Sequence, residues 1–138
     1  MTESLTDLFG DVVYAYTRAD AIRDGALVAV PPDLARQAGF TVPVAVTAAV
    51  WDLIDPGNLE EMPGQSIEGR LWDLLWLCGC AARATRHTDT VIFRCSFLFA
   101  REERGVEIAE QKVQVLRAVC GPGDQGEPVV TIMLRGED

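Results

Sequence analysis

The C-terminal part of the chain is a succession of strand-forming segments, and this pattern restricts the fold more than any other feature. Three apolar runs are separated by short polar or glycine-rich links: VIFRCSFLFA (91–100), KVQVLRAVC (112–120) and VVTIML (129–134). In the middle run, Val113, Val115 and Val119 alternate with Leu116 and Cys120, so the two sets face opposite sides. The pattern predicts a three-strand antiparallel meander that another element must cover.

The apolar segment 67–86 is the natural cover for such a meander. Ser66 can cap its N-terminus, and basic residues in its last turn complement the helix macrodipole. Apolar side chains occur nearly all round the helix, which indicates that it is the central, buried helix of the fold. We predict that Trp72, Leu75 and Trp76 contribute to the core.

The N-terminal half alternates short strands with short helices. Thr17 and Thr47 precede helical segments as capping residues, and Gly25 follows the first of them as a stop. The predicted elements are a strand at 12–16, a helix at 18–24, a strand at 26–30, a helix at 32–38, a strand at 43–47, a helix at 48–54 and a loop at 55–65. With no repeat and no boundary signal, we expect one domain, 1–138, of the α+β class, with a mostly antiparallel sheet.

The stretch GPGDQGEP (121–128) resembles a glycine-rich phosphate-binding loop. Such a loop needs a helix behind the glycines and a Lys-Ser/Thr pair, whereas a strand follows here. Asp124 and Glu127 would also repel a phosphate. We therefore predict a tight turn between two strands.

Composition excludes several classes of protein. No run approaches the ~18 apolar residues of a membrane span, and the acidic N-terminus does not resemble a signal peptide. We therefore expect a cytoplasmic protein with four free thiols, of which Cys78, Cys95 and Cys120 lie in apolar stretches that suit a core. No metal-ligand spacing and no cofactor motif is present, and His87 is the only histidine available to a catalytic pair.

The charge is strongly acidic. The chain has 21 acidic and 12 basic residues, a net charge of −9, so it lacks the basic footprint of a protein that binds nucleic acid directly. Five carboxylates form an acidic band that no base interrupts until Arg70: Asp52, Asp55, Glu60, Glu61 and Glu68. Such a band could bind arginines of a partner or imitate phosphates, and it could equally be a solvated surface.

A second candidate site lies near the N-terminus. The stretch VVYAYTRADAIRDGAL resembles the opening of some ADP-ribosyltransferase-like folds, where a strand and a short helix wrap the nicotinamide end of NAD. The resemblance implies a ligand pocket at Tyr14, Tyr16, Thr17 and Arg18. It is incomplete, because tyrosines occupy the places of the usual histidine or arginine and no late-strand glutamate is evident.

Four blocks in order resemble an uncharacterised family of small bacterial proteins: DLFGDVVYAYTRADAIRDGALV, AGFTVPVAVTAAVWD, EGRLWDLLW and AVCGPGDQGEPVVTIMLRGED. The resemblance covers most of the chain and implies a setting on plasmids, phages and integrative elements. It implies no activity and no catalytic residues.

Three functions stay open on this evidence. The first is an acidic accessory protein of a mobile element that binds a host protein and inhibits a defence or nucleic-acid-processing complex. The second is an enzyme that uses NAD or another nucleotide. The third is a self-associating module, such as a homodimer, because the chain is rich in apolar residues. The lack of a convincing catalytic set favours the first over an enzyme.

Overall fold

The computed structural model describes residues 16–85 and 88–137. The described residues form four helices: α1 (Arg18–Asp24), α2 (Pro32–Gln37), α3 (Ala48–Ile54) and α4 (Ile67–Ala84). Five strands accompany them: β1 (Leu27–Ala29), β2 (Val44–Thr47), β3 (Thr90–Glu103), β4 (Val106–Pro122) and β5 (Pro128–Leu134). A 3₁₀ turn at Leu59–Glu61 lies between α3 and α4. Most of the predicted strand at 12–16 lies outside the described residues.

The predicted caps set the helix boundaries. Thr17 and Asp20 form a reciprocal capping box at the start of α1, and Gly25 ends this helix with a φ of 84°. The hydrogen bond that the Thr17 backbone N–H donates to Asp20 lowers the pKa of that carboxyl group. Thr47 accepts from the backbone N–H of Val50 at the start of α3.

The five strands form one mixed sheet in the order β1-β2-β5-β4-β3. The predicted meander is confirmed, because β4 pairs antiparallel with both β3 and β5. The pair β1–β2 is also antiparallel, whereas β2 and β5 run parallel, with Val44 opposite Val130. The last strand of the described chain therefore lies at the centre of the sheet and joins the N-terminal strands to the meander.

The fold is α+β, as predicted, and helix α4 packs on one face of the sheet. The strand register places Phe93 opposite Leu116, so both side chains point to the same face. They are buried in one cluster with Leu74, Leu75 and Cys78 of α4. Among the described residues, no helix has the length and continuous apolar character that crossing a membrane requires.

The outer face of α4 is more exposed than the sequence predicts. Leu75 is fully buried and Trp72 is partly buried against the core, but Trp76 is 47% exposed and Leu77 is also exposed. The two tryptophan rings stack with their centroids 6.1 Å apart. Because α4 covers only one side of the sheet, a single face of the helix is buried, and the prediction that Trp76 lies in the core was wrong.

The hairpin β3–β4 is longer than predicted. The charged stretch after residue 100, expected to be a link, continues both strands as far as the pair Glu103 and Val106. The turn consists of Arg104 and Gly105, with φ values of 54° and 79°, the left-handed conformations of a type I′ turn. Four consecutive charged residues, 101–104, lack the alternation of polar and apolar residues that indicates a strand, since neither face of this hairpin end is buried in a core.

The stretch GPGDQGEP forms a turn, as predicted. Its ends pair at Pro122 and Pro128, and the backbone N–H of Gly126, a residue with a φ of 80°, donates to the carbonyl of Gly123. The carboxylate of Asp124 leaves this turn and accepts hydrogen bonds from the first two backbone N–H groups of α1. An acidic side chain therefore occupies the end of a helix where an anion would bind.

Candidate functional site

The acidic band follows one continuous stretch of the chain, from α3 to the first turn of α4. Asp52 lies on α3, Asp55 caps its C-terminus, and Glu60 and Glu61 belong to the 3₁₀ turn. Asp55 accepts a hydrogen bond of 3.2 Å from the backbone N–H of Gly57. Ser66 caps α4 through the backbone N–H of Gly69 and thereby fixes Glu68 in the first helical turn.

No carboxylate of the acidic band forms an ion pair with a residue in 16–85 or 88–137, the part of the chain that the structure describes. The ion pairs found there join Arg23 to two carboxylates of α1, Arg36 to Asp33, and Arg101 to two carboxylates of the β3–β4 hairpin. Four members of the band are exposed, and Asp55 is partly so. Among the described residues, the acidic band is therefore largely exposed and free of ion pairs.

A buried arginine, Arg70, connects the elements that carry the acidic band to strand β3. Arg70 is 4% exposed, and its guanidinium donates two hydrogen bonds, of 3.1 and 2.9 Å, to the carbonyl of Leu53 near the C-terminus of α3. It also donates to the carbonyl of Leu98 at 2.9 Å and to the side chain of Gln65 at 3.0 Å. One side chain thus ties α3, the loop before α4 and strand β3 together.

Aromatic rings complete the environment of Arg70. Its guanidinium carbon lies 5.3 Å from the ring centroid of Phe97 and 5.5 Å from that of Phe99, within the range of cation–π contact. Burial lowers the pKa of Arg70 from its ordinary value. Arg70 was not among the residues predicted to be functional, although the sequence contains one signal: Arg70 precedes Leu71 and falls four residues before Leu74, within the buried stripe of α4.

A mostly apolar groove opens beside the acidic band. It has a volume of about 470 Å³, and residues of β1, α2, α3 and α4 line it. Leu34, Trp51 and Leu71 supply apolar side chains, and Glu68, a member of the band, is one of its charged residues. No sequence pattern predicts this groove, because its residues come from four separate elements.

The structure gives structural roles to two residues of the N-terminal candidate pocket. Thr17 is engaged in the capping box, and the Arg18 guanidinium donates to the Thr131 hydroxyl at 2.6 Å and to the Val130 carbonyl at 3.0 Å. Burial is the main cause that lowers the pKa of Arg18. Tyr16 is 62% exposed.

The remaining residue of that candidate pocket, Tyr14, lies outside the described residues, as does His87. Arg18 lines a groove of about 390 Å³ between α1, β1, α2 and β2. This groove brings one residue of the predicted pocket, Arg18, to a concave surface.

The cysteines are free thiols, as predicted. Cys78 and Cys95 are buried, and burial raises their pKa to about 12 and about 11. The prediction that Cys120 belongs to the core was wrong: it is exposed near the turn end of β4, opposite Val130. Within the described residues, no three histidine, cysteine, aspartate or glutamate side chains are placed to hold a metal ion.

Comparison with known proteins identifies the family of this chain, and that family has no known function. No curated protein and no solved structure matches the chain. One family model, described as a family of unknown function, DUF6573, matches residues 6–138. This match spans every helix and strand described above, and the chain therefore belongs to the DUF6573 family.

Proposed function

We propose that this protein is a small acidic accessory protein of a mobile genetic element, and that it acts without catalysis by binding a host protein through the acidic band. The observation that supports the proposal is the exposed run of carboxylates, which lacks ion pairs within the described residues. Its partner would present arginines or lysines, as subunits of defence and nucleic-acid-processing complexes do where they bind phosphates.

A carboxylate binds a new cation well only if its oxygens are free to accept further hydrogen bonds. A carboxylate paired within its own protein gains little from a new cation, whereas a solvated one can accept a bidentate arginine. A net charge of −9 also steers a basic partner towards the protein, and salt screens this attraction. Direct binding of nucleic acid stays disfavoured by the same charge.

The test is capture of host proteins by the tagged protein at low and high salt, with charge-reversed variants. Reversing Asp52, Asp55, Glu60 and Glu61 to lysine should abolish capture of a stoichiometric partner that the wild type binds at low salt. A matched control reverses Glu102, Glu103, Glu107 and Glu110 in the β3–β4 hairpin, which changes the net charge equally. We expect the control to retain the partner.

Two outcomes would contradict the proposal. If the band variant stays folded and still binds the partner, the band is not the interface. If both variants lose the partner to the same degree, only net charge matters, and the location of the surface is wrong. Circular dichroism of each variant separates lost binding from lost folding.

A second candidate, nucleotide binding, is favoured by the 390 Å³ groove beside Arg18. A ligand held there would raise the melting temperature in a saturable way, as mass action requires. Titration with millimolar NAD is the direct measurement. The Arg18→Ala variant is measured beside the wild type. If NAD does not change the melting temperature of the wild type, NAD is excluded as a ligand of this groove.

A further inference from the structure

The groove between α2, α3 and α4 has an apolar lining that the sheet core leaves accessible. Leu71 forms a buried part of it, while Leu34 and Trp51 are partly exposed and Ile67 is exposed at its mouth. Pro31 and Pro32 begin α2 beside the groove, and the Ser66 cap fixes the start of α4. The groove is therefore built from the ends of rigid elements.

The charges around this lining are mostly negative. Its charged lining residues, Asp33 and Glu68, are both acidic. Asp33 is paired with Arg36, whereas Glu68 has no ion pair within the described chain. An occupant of the groove thus meets an apolar surface and an uncompensated carboxylate together.

We propose that this groove receives an apolar side chain from a basic segment of the partner protein, with a neighbouring arginine or lysine of that segment paired to Glu68. The inference rests on the proposed function and specifies its partner chemistry. Apolar anchors that fill pockets at the centre of an interface carry most binding energy, and charged groups around them give specificity. Trp51 adds an aromatic surface on which a guanidinium can stack.

Charge complementarity distinguishes this occupant from others of similar size. A nucleotide or an acidic peptide would bring its own negative charge against Glu68. A second copy of this chain would bring a net charge of −9 to a surface that is already negative. A segment that combines an apolar anchor with positive charge satisfies both features of the groove.

Three short peptides test the proposal without knowledge of the natural partner. Acetyl-Arg-Phe-Arg-amide carries the anchor and positive charge, acetyl-Glu-Phe-Glu-amide reverses the charge, and acetyl-Arg-Gly-Arg-amide removes the anchor. Each is titrated into isotope-labelled protein, and the indole N–H of Trp51 and the methyl groups of Leu34 and Ile67 are followed by NMR. The Trp51 signal is assigned with a Trp51→Phe variant.

We expect saturable shifts at these three residues with the first peptide and at least tenfold weaker binding of the other two. Glu68→Gln should weaken the first peptide about fivefold. Glu61→Gln, which removes an equal charge from the band away from the groove, should not. Equal binding of the acidic peptide, equal effects of the two glutamine variants, or shifts that lie elsewhere would each overturn the proposal.

This experiment can fail separately from the proposed function. If host capture depends on the acidic band but no peptide shifts Trp51, the groove proposal is wrong and the interaction function survives. If Arg-Phe-Arg binds at the groove while the band variant still captures its partner, the groove proposal stands and the band is not that partner's interface.

Discussion

At the scale of single residues, Arg70 is the most unusual group in the protein. It is a buried cation whose hydrogen bonds go to neutral oxygens, two of them backbone carbonyls in different elements. The C-terminal end of α3, where Leu53 lies, carries a partial negative charge that favours a cation. Arg70 therefore contributes to stability by satisfying carbonyl groups as well as by packing.

Replacing Arg70 with methionine tests this role. The change keeps a long apolar stem against Phe97 but leaves the carbonyls of Leu53 and Leu98 without their donor. We expect the free energy of unfolding to fall by about 2–4 kcal/mol in urea denaturation. Arg36→Met, at an exposed residue, is the control and should change it by less than about 0.5 kcal/mol. If Arg70→Met and Arg36→Met have the same free energy of unfolding, Arg70 does not stabilise the fold in this way.

The buried thiols make stability depend on alkaline pH. The folded pKa of Cys78 is about 12, above its ordinary value of 9.0, so in the alkaline range the unfolded chain releases a proton that the folded chain keeps. Stability is therefore complete below pH 9.0 and falls as pH rises towards 12.

Cys78→Ala provides the comparison for this effect. The variant starts less stable because of the lost core contact, but it should lose about 2 kcal/mol less than wild type between about pH 8 and about pH 10.5. Urea denaturation at both pH values measures the difference. Parallel losses in the two proteins would show that Cys78 does not titrate with unfolding.

At the scale of elements, the sequence was informative wherever a local rule decides the structure. Thr17, Thr47 and Ser66 begin helices as expected, because each cap needs only a backbone N–H two or three residues further on. Trp76 and the long β3–β4 hairpin were mispredicted for the opposite reason. Which face of a helix is covered, and how far two charged strands stay paired, depends on distant parts of the chain.

The contact between Asp124 and α1 is a non-local interaction of this kind. Its carboxylate accepts from the backbone N–H groups of Arg18 and Ala19 at 2.8 and 3.0 Å. Asp124→Ala removes both acceptors, so we expect α1 to fray and the free energy of unfolding to fall by about 1 kcal/mol.

Amide hydrogen exchange of Ala19 and urea denaturation measure the two effects. Gln125→Ala is the matched control in the same turn, since the described contact of Gln125 uses its backbone N–H. Unchanged protection of α1 in the Asp124 variant would show that the contact is not made in solution.

At the scale of the whole molecule, the main features are a mixed sheet and an excess of negative charge. The sequence predicted the class, the meander and the acidic band, since composition and alternation are local properties. It did not predict the parallel pair β2–β5, the strand order or the groove beside Glu68, because these depend on which distant segments meet.

Excess charge leads to a prediction about salt. The net charge is −9, and no carboxylate of the acidic band forms an ion pair within the described residues, so screening of like charges should stabilise the folded protein. We expect the melting temperature to rise by a few degrees between about 20 mM and about 500 mM sodium chloride, measured by circular dichroism.

Neutralising part of the band should remove much of this dependence. The triple variant Asp52→Asn, Glu60→Gln and Glu61→Gln should melt higher than wild type at low salt and respond less to added salt. As a control, Glu103→Gln removes a carboxylate that is paired with Arg101. A melting temperature that does not change with salt in the wild type would contradict the prediction.

The central position of β5 has a consequence for how the protein is made. On the ribosome, β1, β2 and the three helices nearest to them emerge long before the strand that connects them to β4. Until β5 emerges, β2 can pair with β1 on one edge, but the edge that pairs with β5 has no partner strand. The nascent chain therefore carries an incomplete sheet through most of its synthesis, and an unpaired strand edge of this kind is exposed to non-native pairing during that time.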